Sequence, residues 1–373
     1  MRLYIKWLTL NWKMFGLNRR FIFFCIVILL DLIFFLSGRF FLFIDHIFFP
    51  GFRKIEVKKP IFIIGHPRSG TSFVHHLFAQ SDEIATFKTW HIIFPALTAR
   101  VLFKPLINYL IKRRTILVPK EVGHQVVFDE PEEEELLFGY NLDTQFFLIG
   151  TLLGFDNDDY KEFRFHDNQP KTPRIKSAML LKSCFQRHIY DTGKTQIFAQ
   201  THFSTHRIMT LLEVFPDAKF IYLHRTPYET LPSFFSLIYN FLDMLYGMNR
   251  FSSDHMHRFF ENRYNGSVDL YRYFFDLWHT GKINSENVLI LSYENLMNDL
   301  VNVFNQIITF TGIEGSTELK DYVERQAMQQ RQYKRIHEVK KLPEFGIDEN
   351  RIEKDFAFIL KPEPFHIQER TTC

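Results

Sequence analysis

Four short, largely apolar runs stand out along the chain after residue 59. They are Ile61–Ile64, Gln196–Ala199, Lys219–Leu223 and Val288–Leu291. The first run has no polar residue, which is typical of a strand buried on both faces of a parallel sheet. Segments with helical periodicity separate the runs. Strands that alternate with helices predict an α/β fold, a P-loop-like parallel sheet with helices on both faces.

The segments between these strands are predicted to be helical. Thr71–Gln80 follows the first strand and places apolar residues on one helical face. Residues 84–190 are predicted to be a mostly helical insertion, interrupted by prolines and polar loops. The polar tail, roughly Gln326–Cys373, is expected to wrap the site or the surface.

The first 50 residues have a different character, so we divide the chain into a hydrophobic, membrane-associated segment, 1–50, and a main domain, 51–373. Residues 1–20 carry five basic residues and no acid, and Phe21–Leu36 is apolar except for Asp31. As a helix this run spans about 24 Å, against about 30 Å of bilayer hydrocarbon. Two interpretations stay open: a single-pass signal anchor with its basic end in the cytoplasm, or helices lying in the membrane interface. Asp31 disfavours a lipid-facing span.

Composition adds little that is specific. The formal net charge of +3 gives no reason to expect a nucleic-acid partner. The three cysteines, Cys25, Cys184 and Cys373, are too far apart in the sequence to suggest a disulfide framework or a CxxC metal site. The 44 phenylalanines fit either a membrane-associated surface or nucleotide bias in the genome.

A candidate phosphate loop joins the first strand to the first helix. Its core is Pro67-Arg68-Ser69-Gly70-Thr71-Ser72. Glycines allow a close backbone approach to an anion, and the following helix start adds positive potential. Arg68 adds a guanidinium that can fork onto phosphate or sulfate oxygens. The loop is not a Walker A motif, because Thr71 follows Gly70 where that motif has lysine.

A second anion site is predicted at the end of the third strand. Arg225 ends the strand, Pro227 suits the first turn of a helix, and Ser233 follows Arg225 by eight residues. An arginine at a strand end and a serine two turns into the next helix can hold one anion from two sides.

Taken together, the two motifs make the chain resemble sulfotransferases that use 3′-phosphoadenosine-5′-phosphosulfate (PAPS). The shared features are the Pro-Arg-Ser-Gly-Thr loop and the segment Phe215-Pro216-Asp217-Ala218 followed by His224-Arg225-Thr226-Pro227, and the resemblance covers roughly residues 45–360. It implies PAPS as co-substrate, without a metal. Residues 67–72 would hold the 5′-phosphosulfate, and Arg225 and Ser233 the 3′-phosphate.

Sulfuryl transfer needs a general base and a cation near the bridging oxygen. His202, at the end of a predicted strand, resembles the family's catalytic histidine, and an imidazole suits the task. Gln200 stands where cytosolic sulfotransferases have a lysine that assists the leaving group. Arg68, or a residue that the sequence does not reveal, would then supply that charge; the alternative is that activity is weakened.

A second candidate base lies in the acidic run that begins at Asp129. Glu132 and Glu133 correspond to a Pro-Glu-Glu element of the family, in which some members use a glutamate as base. The alternative is that these acids only favour the start of a helix.

Other activities stay open at this level. An ATP-dependent P-loop phosphotransferase and a non-catalytic membrane protein with a relic loop are the alternatives to sulfuryl transfer. The acceptor, a hydroxyl or amine of a small molecule, lipid, sterol or carbohydrate, and the oligomeric state are not indicated.

Overall fold

The computed structural model describes residues 2–158, 160–330 and 339–360, so parts of the polar tail lie outside the described residues. The described α-helices are α1 (Arg2–Phe15), α2 (Arg19–Phe48), α3 (Thr71–Phe78), α4 (Thr89–Ile93), α5 (Leu97–Leu102), α6 (Lys104–Lys112), α7 (Phe146–Gly150), α8 (Lys161–Arg164), α9 (Lys171–Thr192), α10 (Ile208–Val214), α11 (Pro227–Tyr246), α12 (Ser253–His279), α13 (Tyr293–Asn298), α14 (Leu300–Thr311), α15 (Thr317–Gln330), α16 (Asn350–Asp355) and α17 (Ala357–Leu360). The strands are β1 (Ile61–Gly65), β2 (Ile84–Ala85), β3 (Ile116–Val118), β4 (Val126–Val127), β5 (Gln196–Gln200), β6 (Lys219–His224) and β7 (Val288–Ser292). Short 3-10 helices occupy Pro50–Lys54, Lys120–Val122, Glu134–Asn141, Leu152–Phe155, His166–Asn168, His202–Arg207, Met248–Arg250 and Leu342–Phe345.

Five of these strands form one parallel sheet in the order β2-β5-β1-β6-β7. Phe62 of the central strand lies opposite Ala199 on one side and Phe220 on the other. All four predicted strands are present, which confirms the α/β prediction. The edge strand β2 was not predicted, because two residues carry no readable periodicity.

The sheet buries both faces, as the continuous apolar run of β1 predicted. Phe62 and Ile64 belong to one hydrophobic core, which includes residues of α9 and α12. Ile61 and Ile63 belong to a second core with residues of α3, α14 and α15. Alternate residues of a strand point to opposite faces, so the prediction of helices on both sides is confirmed.

The segment between β2 and β5 is less regular than the predicted helical insertion. It contains α4–α9, several 3-10 turns and the antiparallel hairpin β3–β4. The hairpin places Val118 and Val126 over the functional cavity described below. Its strands are three and two residues long, too short for an alternating pattern to be recognised.

The N-terminal helices pack onto the main domain. α2 is a single helix of 30 residues, longer than the predicted apolar run, and is long and apolar enough to cross a bilayer by length and composition. Tyr4 of α1 and Phe24 and Leu42 of α2 lie in the same core as the sheet residues Phe62 and Ile64. The division of the chain at residue 50 stays a prediction.

A buried ion pair fixes the C-terminal part of α2. Asp45 Oδ2 accepts a hydrogen bond from Arg187 Nε at 2.7 Å, and both side chains are essentially inaccessible to solvent. The carboxylate also accepts from the backbone N–H groups of Leu97 and Thr98. Arg187 in turn donates to the carbonyl of Leu42. Because the charges are mutually paired and hydrogen-bonded, the apolar helix can carry an acid inside the protein.

Candidate active site

The predicted phosphate loop lies between β1 and α3. Gly65 and Gly70 have φ angles of 130° and 92°, in the region that favours glycine. Arg68 also has a positive φ, 73°, a conformation that costs a non-glycine residue about 1–3 kcal/mol. Arg225 Nη1 donates to the Arg68 carbonyl at 2.9 Å, which holds this backbone in place.

The Arg68 side chain connects three elements around the loop. Its Nε donates to Ser233 Oγ on α11 at 3.0 Å, and its Nη1 donates to the carbonyl of Gly123 at 3.2 Å. Gly123 belongs to the loop between β3 and β4. The guanidinium is therefore oriented by contacts on two sides of the cavity.

Arg225 and Ser233 lie close to the loop, as their spacing predicted. Arg225 lies over the ring of Tyr293, with Cζ 3.7 Å from the ring centroid, and its Nε donates to Glu229 at 2.9 Å. Both Arg225 and Ser233 line the same cavity as the loop. The structure brings the two predicted anion sites into one site.

The loop residues contribute to this site unequally. Those that line the cavity are Pro67, Arg68, Gly70, Thr71 and Ser72. Ser69 is fully buried, lies outside the cavity lining, and donates its backbone N–H to the His66 carbonyl at 3.2 Å. Its backbone therefore contributes to the turn, and its side chain lies outside the cavity surface.

The cavity has a volume of about 970 Å³ and reaches from the loop to the N-terminal helices. This volume is at the upper end of the roughly 300–1,000 Å³ that is common for small-molecule sites. Its walls are mainly apolar. They include Phe35, Ile92, Val118, Phe146, Phe234 and Phe241.

His202 lines this cavity and is buried. It opens the 3-10 helix that follows β5, and its ring meets Phe146 edge-on. Burial, reinforced by the nearby His66 and His124, lowers the pKa of His202 to about 3. The imidazole is therefore neutral near pH 7, the state in which it can accept a proton.

Glu133 is the neighbour of His202, with Oε2 3.4 Å from Nδ1. Burial and the adjacent carboxylates Glu132, Glu135 and Glu134 raise the pKa of Glu133 well above its usual range. Burial thus favours the uncharged form of both groups. Neither Oε2 nor Nδ1 has a hydrogen-bond partner among the described residues.

Gln200, the departure from the family lysine, bonds to both the loop and the acids. Its Nε2 lies 3.3 Å from Thr71 Oγ1, 3.0 Å from Ser72 Oγ and 2.9 Å from Glu133 Oε1. The amide links the start of α3 to the carboxyl that faces His202. Gln200 therefore holds Glu133 in place without adding a charge.

Glu132 is bonded to a different partner. Its carboxylate lies 3.3 Å from His124 Nε2 and accepts from the backbone N–H of Glu133 at 3.0 Å. Burial raises its pKa, but the hydrogen bond and charge of His124 outweigh this and lower the pKa overall. One ligand atom each of His124, Glu132 and Glu133 lie within 4.8 Å of one another, close enough to share a cation.

The second part of the acidic run, Glu132–Glu135, is buried at a helix start. Glu134 and Glu135 lie in the first turn of the 3-10 helix Glu134–Asn141, as the helix-start alternative predicted. Glu134 also lies 3.2 Å from His75 Nε2 and accepts from the backbone N–H groups of Phe87 and Gln200. These contacts connect α3, β5 and the loop after β2.

Sequence reasoning missed several residues of the site. Tyr4 and Asp31 of the N-terminal helices line the cavity, and Gly123 and Tyr293 contact the two arginines. Asp31 was visible as an isolated acid in an apolar run. Nothing in the sequence indicates that the N-terminal helices contribute to the site, because this contact joins distant parts of the chain.

Comparison with known proteins identifies the family. The sequence profile of a sulfotransferase family matches residues 60–318, about two thirds of the chain. The omega-hydroxy-beta-dihydromenaquinone-9 sulfotransferases Stf3 of Mycobacterium bovis and Mycobacterium tuberculosis are each 26% identical over 218 residues, 57% of this chain and 53% of theirs. The chain thus matches about half the length of these curated relatives.

Two solved structures have the same fold. Sulfotransferase STF1 of Mycobacterium tuberculosis H37Rv superposes with a TM-score of 0.70 at 17% identity, over 96% of this chain and 92% of that one. STF9 of Mycobacterium avium gives a TM-score of 0.68 at 17% identity, over 86% and 80%. The profile match, the loop and the paired anion sites agree, and the chain belongs to the sulfotransferase family.

Proposed function

We propose that this protein transfers the sulfuryl group of PAPS to a hydroxyl group of an apolar, lipid-like acceptor. The observation that carries the proposal is a single cavity lined by Arg68, Arg225 and His202 and otherwise mainly by apolar side chains. One end is suited to a polyanionic donor. The remainder is suited to a molecule with little polar surface.

The donor occupies the end formed by the loop. Its 5′-phosphosulfate lies over residues 67–72 at the start of α3, where backbone N–H groups and Arg68 meet the negative charge. Its 3′-phosphate lies against Arg225 and Ser233. The Tyr293 ring under the Arg225 guanidinium restricts how that guanidinium is oriented.

The reaction is an in-line displacement at sulfur. The acceptor oxygen forms a bond to sulfur while the bond from sulfur to the bridging phosphate oxygen breaks, which releases 3′-phosphoadenosine-5′-phosphate. The acceptor proton passes to His202. Arg68 stabilises the charge that develops on the bridging oxygen, so no lysine at position 200 is required.

His202 is the general base, and Glu133 positions it. If Nδ1–H points to Glu133 Oε2, Nε2 is the nitrogen left to take the acceptor proton. The low pKa of about 3 belongs to the protein without donor. A phosphosulfate bound nearby favours the imidazolium and raises this pKa, so the base is strengthened when the donor is present.

The transfer needs no metal ion. The Glu132 carboxylate is already hydrogen-bonded to His124 and to the Glu133 backbone, and the raised pKa of Glu133 disfavours the ionised form that a metal ion would need. Two arginines supply the positive charge that a cation would otherwise bring.

An apolar acceptor follows from the walls of the cavity. A sugar or a peptide would bury hydroxyl or amide groups against Ile92, Val118 and Phe241, with unpaired polar groups as the result. The related Stf3 enzymes act, by name, on an omega-hydroxy-beta-dihydromenaquinone-9. We extend to this chain only the class of acceptor, a hydroxyl on a lipid-like molecule.

The N-terminal helices lie in the membrane interface and do not form a simple span. α2 contacts the domain at both ends: Arg20 donates to the Tyr246 carbonyl, and Asp45 pairs with Arg187. These points are roughly 38 Å apart along the helix, more than the bilayer hydrocarbon of about 30 Å. A crossing α2 would draw these parts of the domain into the lipid.

The outer face of α2 fits this arrangement. Its exposed apolar residues cover roughly half of the helix circumference, counted at about 100° per residue. They are Ile22, Phe23, Ile26, Leu29, Leu30, Ile33, Phe34, Leu36, Phe40, Phe43, Ile47 and Phe48. Basic residues at the start of both helices suit a surface of anionic headgroups.

Turnover of [³⁵S]PAPS tests the function. The acceptors are dodecan-1-ol and geranylgeraniol, with glucosamine and a tyrosine peptide as polar comparators. We expect label in the organic extract, and its loss in Arg68→Ala and His202→Ala. Transfer to the polar comparators alone, or phosphoryl transfer from [γ-³²P]ATP instead, would contradict the proposal.

A further inference from the structure

The part of the cavity that the N-terminal helices form carries a polar pair. Tyr4 of α1 donates from its hydroxyl to Asp31 Oδ2 of α2 at 2.8 Å, and both residues line the cavity that also contains His202. Asp31 is the first acid of the chain and sits in the otherwise apolar run Phe21–Leu36 of α2. A carboxylate on such a helix is costly unless it is paired or faces a polar ligand.

The pair has unused capacity for hydrogen bonds. A carboxyl group can accept more than one hydrogen bond, and within the described chain Tyr4 is the side chain that bonds to Asp31. The neighbouring walls are aromatic: Phe35 lies beside Tyr4, with ring centroids 6.2 Å apart, and Phe34 lies beside Tyr140 at 5.8 Å. Asp31 is thus a hydrogen-bond acceptor in the part of the apolar cavity that the N-terminal helices form.

We infer that Asp31 and Tyr4 form a second polar subsite, which binds a hydrogen-bond donor at the remote end of an elongated acceptor. The acceptor then has two polar ends joined by an apolar body, one hydroxyl at His202 and one hydroxyl or amine group at Asp31. The N-terminal helices are part of the acceptor site as well as a membrane contact. This inference rests on the proposed function, because it assumes that the acceptor occupies this cavity.

Paired synthetic acceptors test the subsite. Alkan-1-ols and the matching α,ω-diols of 8 to 20 carbons differ only in the remote hydroxyl. We expect the kcat/KM ratio of diol to mono-ol, corrected twofold for the two equivalent ends, to rise with length. It reaches about tenfold or more where the chain spans the cavity, as expected for a hydrogen bond to a charged group.

Variants separate recognition from structure. Asp31→Asn makes residue 31 a weaker hydrogen-bond acceptor. Asp31→Ala removes this hydrogen-bond acceptor and brings the kcat/KM ratio of diol to mono-ol to about one. Leu30→Asn is the matched control, since Leu30 is the preceding residue on the same helix, is 59% exposed and lies outside the cavity lining. It should keep the wild-type ratio. Tyr4→Phe, which leaves the carboxylate in place, offers a second variant if the Asp31 variants fold poorly, and should change the ratio.

The outcomes are distinct. A ratio of about one at every length in the wild type, or a ratio that Asp31→Ala leaves unchanged, would overturn the subsite. A lower melting temperature in Asp31→Ala with an unchanged ratio would mean that the Tyr4–Asp31 hydrogen bond only stabilises the packing of α1 against α2. Binding of 3′-phosphoadenosine-5′-phosphate, measured in parallel, distinguishes failure of the subsite from failure of the proposed function. Absence of binding overturns the proposed function. Binding without turnover of either alcohol series overturns the two-ended site.

Discussion

Nδ1 of His202 lies 3.4 Å from Oε2 of Glu133, and burial favours the uncharged form of both groups. His202 and Glu133 were rival candidates for the base when only the sequence was considered. Their side chains are neighbours, and in the proposed mechanism the carboxyl orients the ring. Gln200 contributes to this arrangement, because its amide holds the other oxygen of Glu133.

The pH dependence of turnover should report the low pKa of His202. A pKa of about 3 keeps the imidazole deprotonated in the free enzyme, so the His202 contribution to the acid limb of kcat/KM should lie well below pH 6.5. In the pH profile of kcat the acid limb should lie at higher pH, because the bound donor favours the imidazolium. His202→Ala should lower kcat about 10²–10⁴-fold.

The same shift has a consequence for stability. The pKa of His202 is near 6.5 in the unfolded chain and about 3 in the folded protein. The contribution of His202 to the free energy of unfolding is therefore present above pH 6.5 and is lost as the pH falls from 6.5 towards 3. An acid limb at pH 6.5 in kcat/KM that vanishes in His202→Ala would contradict the low pKa of His202. Full turnover in His202→Ala would contradict the assignment of the base.

The Asp45–Arg187 pair should dominate the attachment of α2. Asp45→Ala leaves a buried guanidinium without its partner, and loss of one member of a buried pair costs about 3–5 kcal/mol of unfolding free energy. Adding Arg187→Met should recover part of the loss, because the uncompensated charge is then gone. Denaturant unfolding checks both variants.

The control for this pair is Glu56→Ala. Both side chains of the Glu56–Lys58 contact are exposed, so its loss should have no measurable effect on the free energy of unfolding. Equal stability of Asp45→Ala and wild type would show that α2 is held by other contacts.

The orientation of α2 predicts a labelling pattern. Leu17 and Phe48 flank or end the helix and are 75% and 67% exposed. In a chain with its three native cysteines replaced by alanine, cysteines at these two positions should both react, or both be protected, with a membrane-impermeant maleimide in sealed membrane vesicles. One reactive position and one that reacts only after detergent would establish a span and contradict the interfacial arrangement.

Chelation should leave activity intact. Glu132 is hydrogen-bonded to His124 and the raised pKa of Glu133 disfavours its ionised form, so we expect turnover after EDTA treatment to stay within about twofold of the untreated enzyme. The comparison is EDTA with and without added Mg²⁺, Mn²⁺ or Zn²⁺. Loss of turnover that one of these ions restores would assign His124, Glu132 and Glu133 to a metal site.

Local patterns made much of the donor site predictable. The apolar run of β1, the loop that follows it and the spacing from Arg225 to Ser233 each occupy one short stretch, and each occurs where the sequence placed it. The sheet followed from the same runs, because buried parallel strands have few polar residues.

Contacts between distant segments were not predictable in this way. The bond from Arg68 to Gly123 and the position of Asp31 at the cavity depend on how the insertion and the N-terminal helices pack. The same holds for the acidic run, where Glu133 and Glu134 are buried by partners up to 67 residues away in the chain. No local propensity encodes these pairings.

Calorimetric titration with 3′-phosphoadenosine-5′-phosphate, compared with ATP and Mg²⁺, tests the central claim most directly. We predict binding of the bisphosphate in preference to ATP, weakened by about 1.5–3 kcal/mol or more in Arg225→Ala and in Arg68→Ala. Arg272→Ala, at an exposed arginine of α12 outside the cavity, should bind normally. Preference for ATP with Mg²⁺, or unchanged affinity in both cavity variants, would contradict the account.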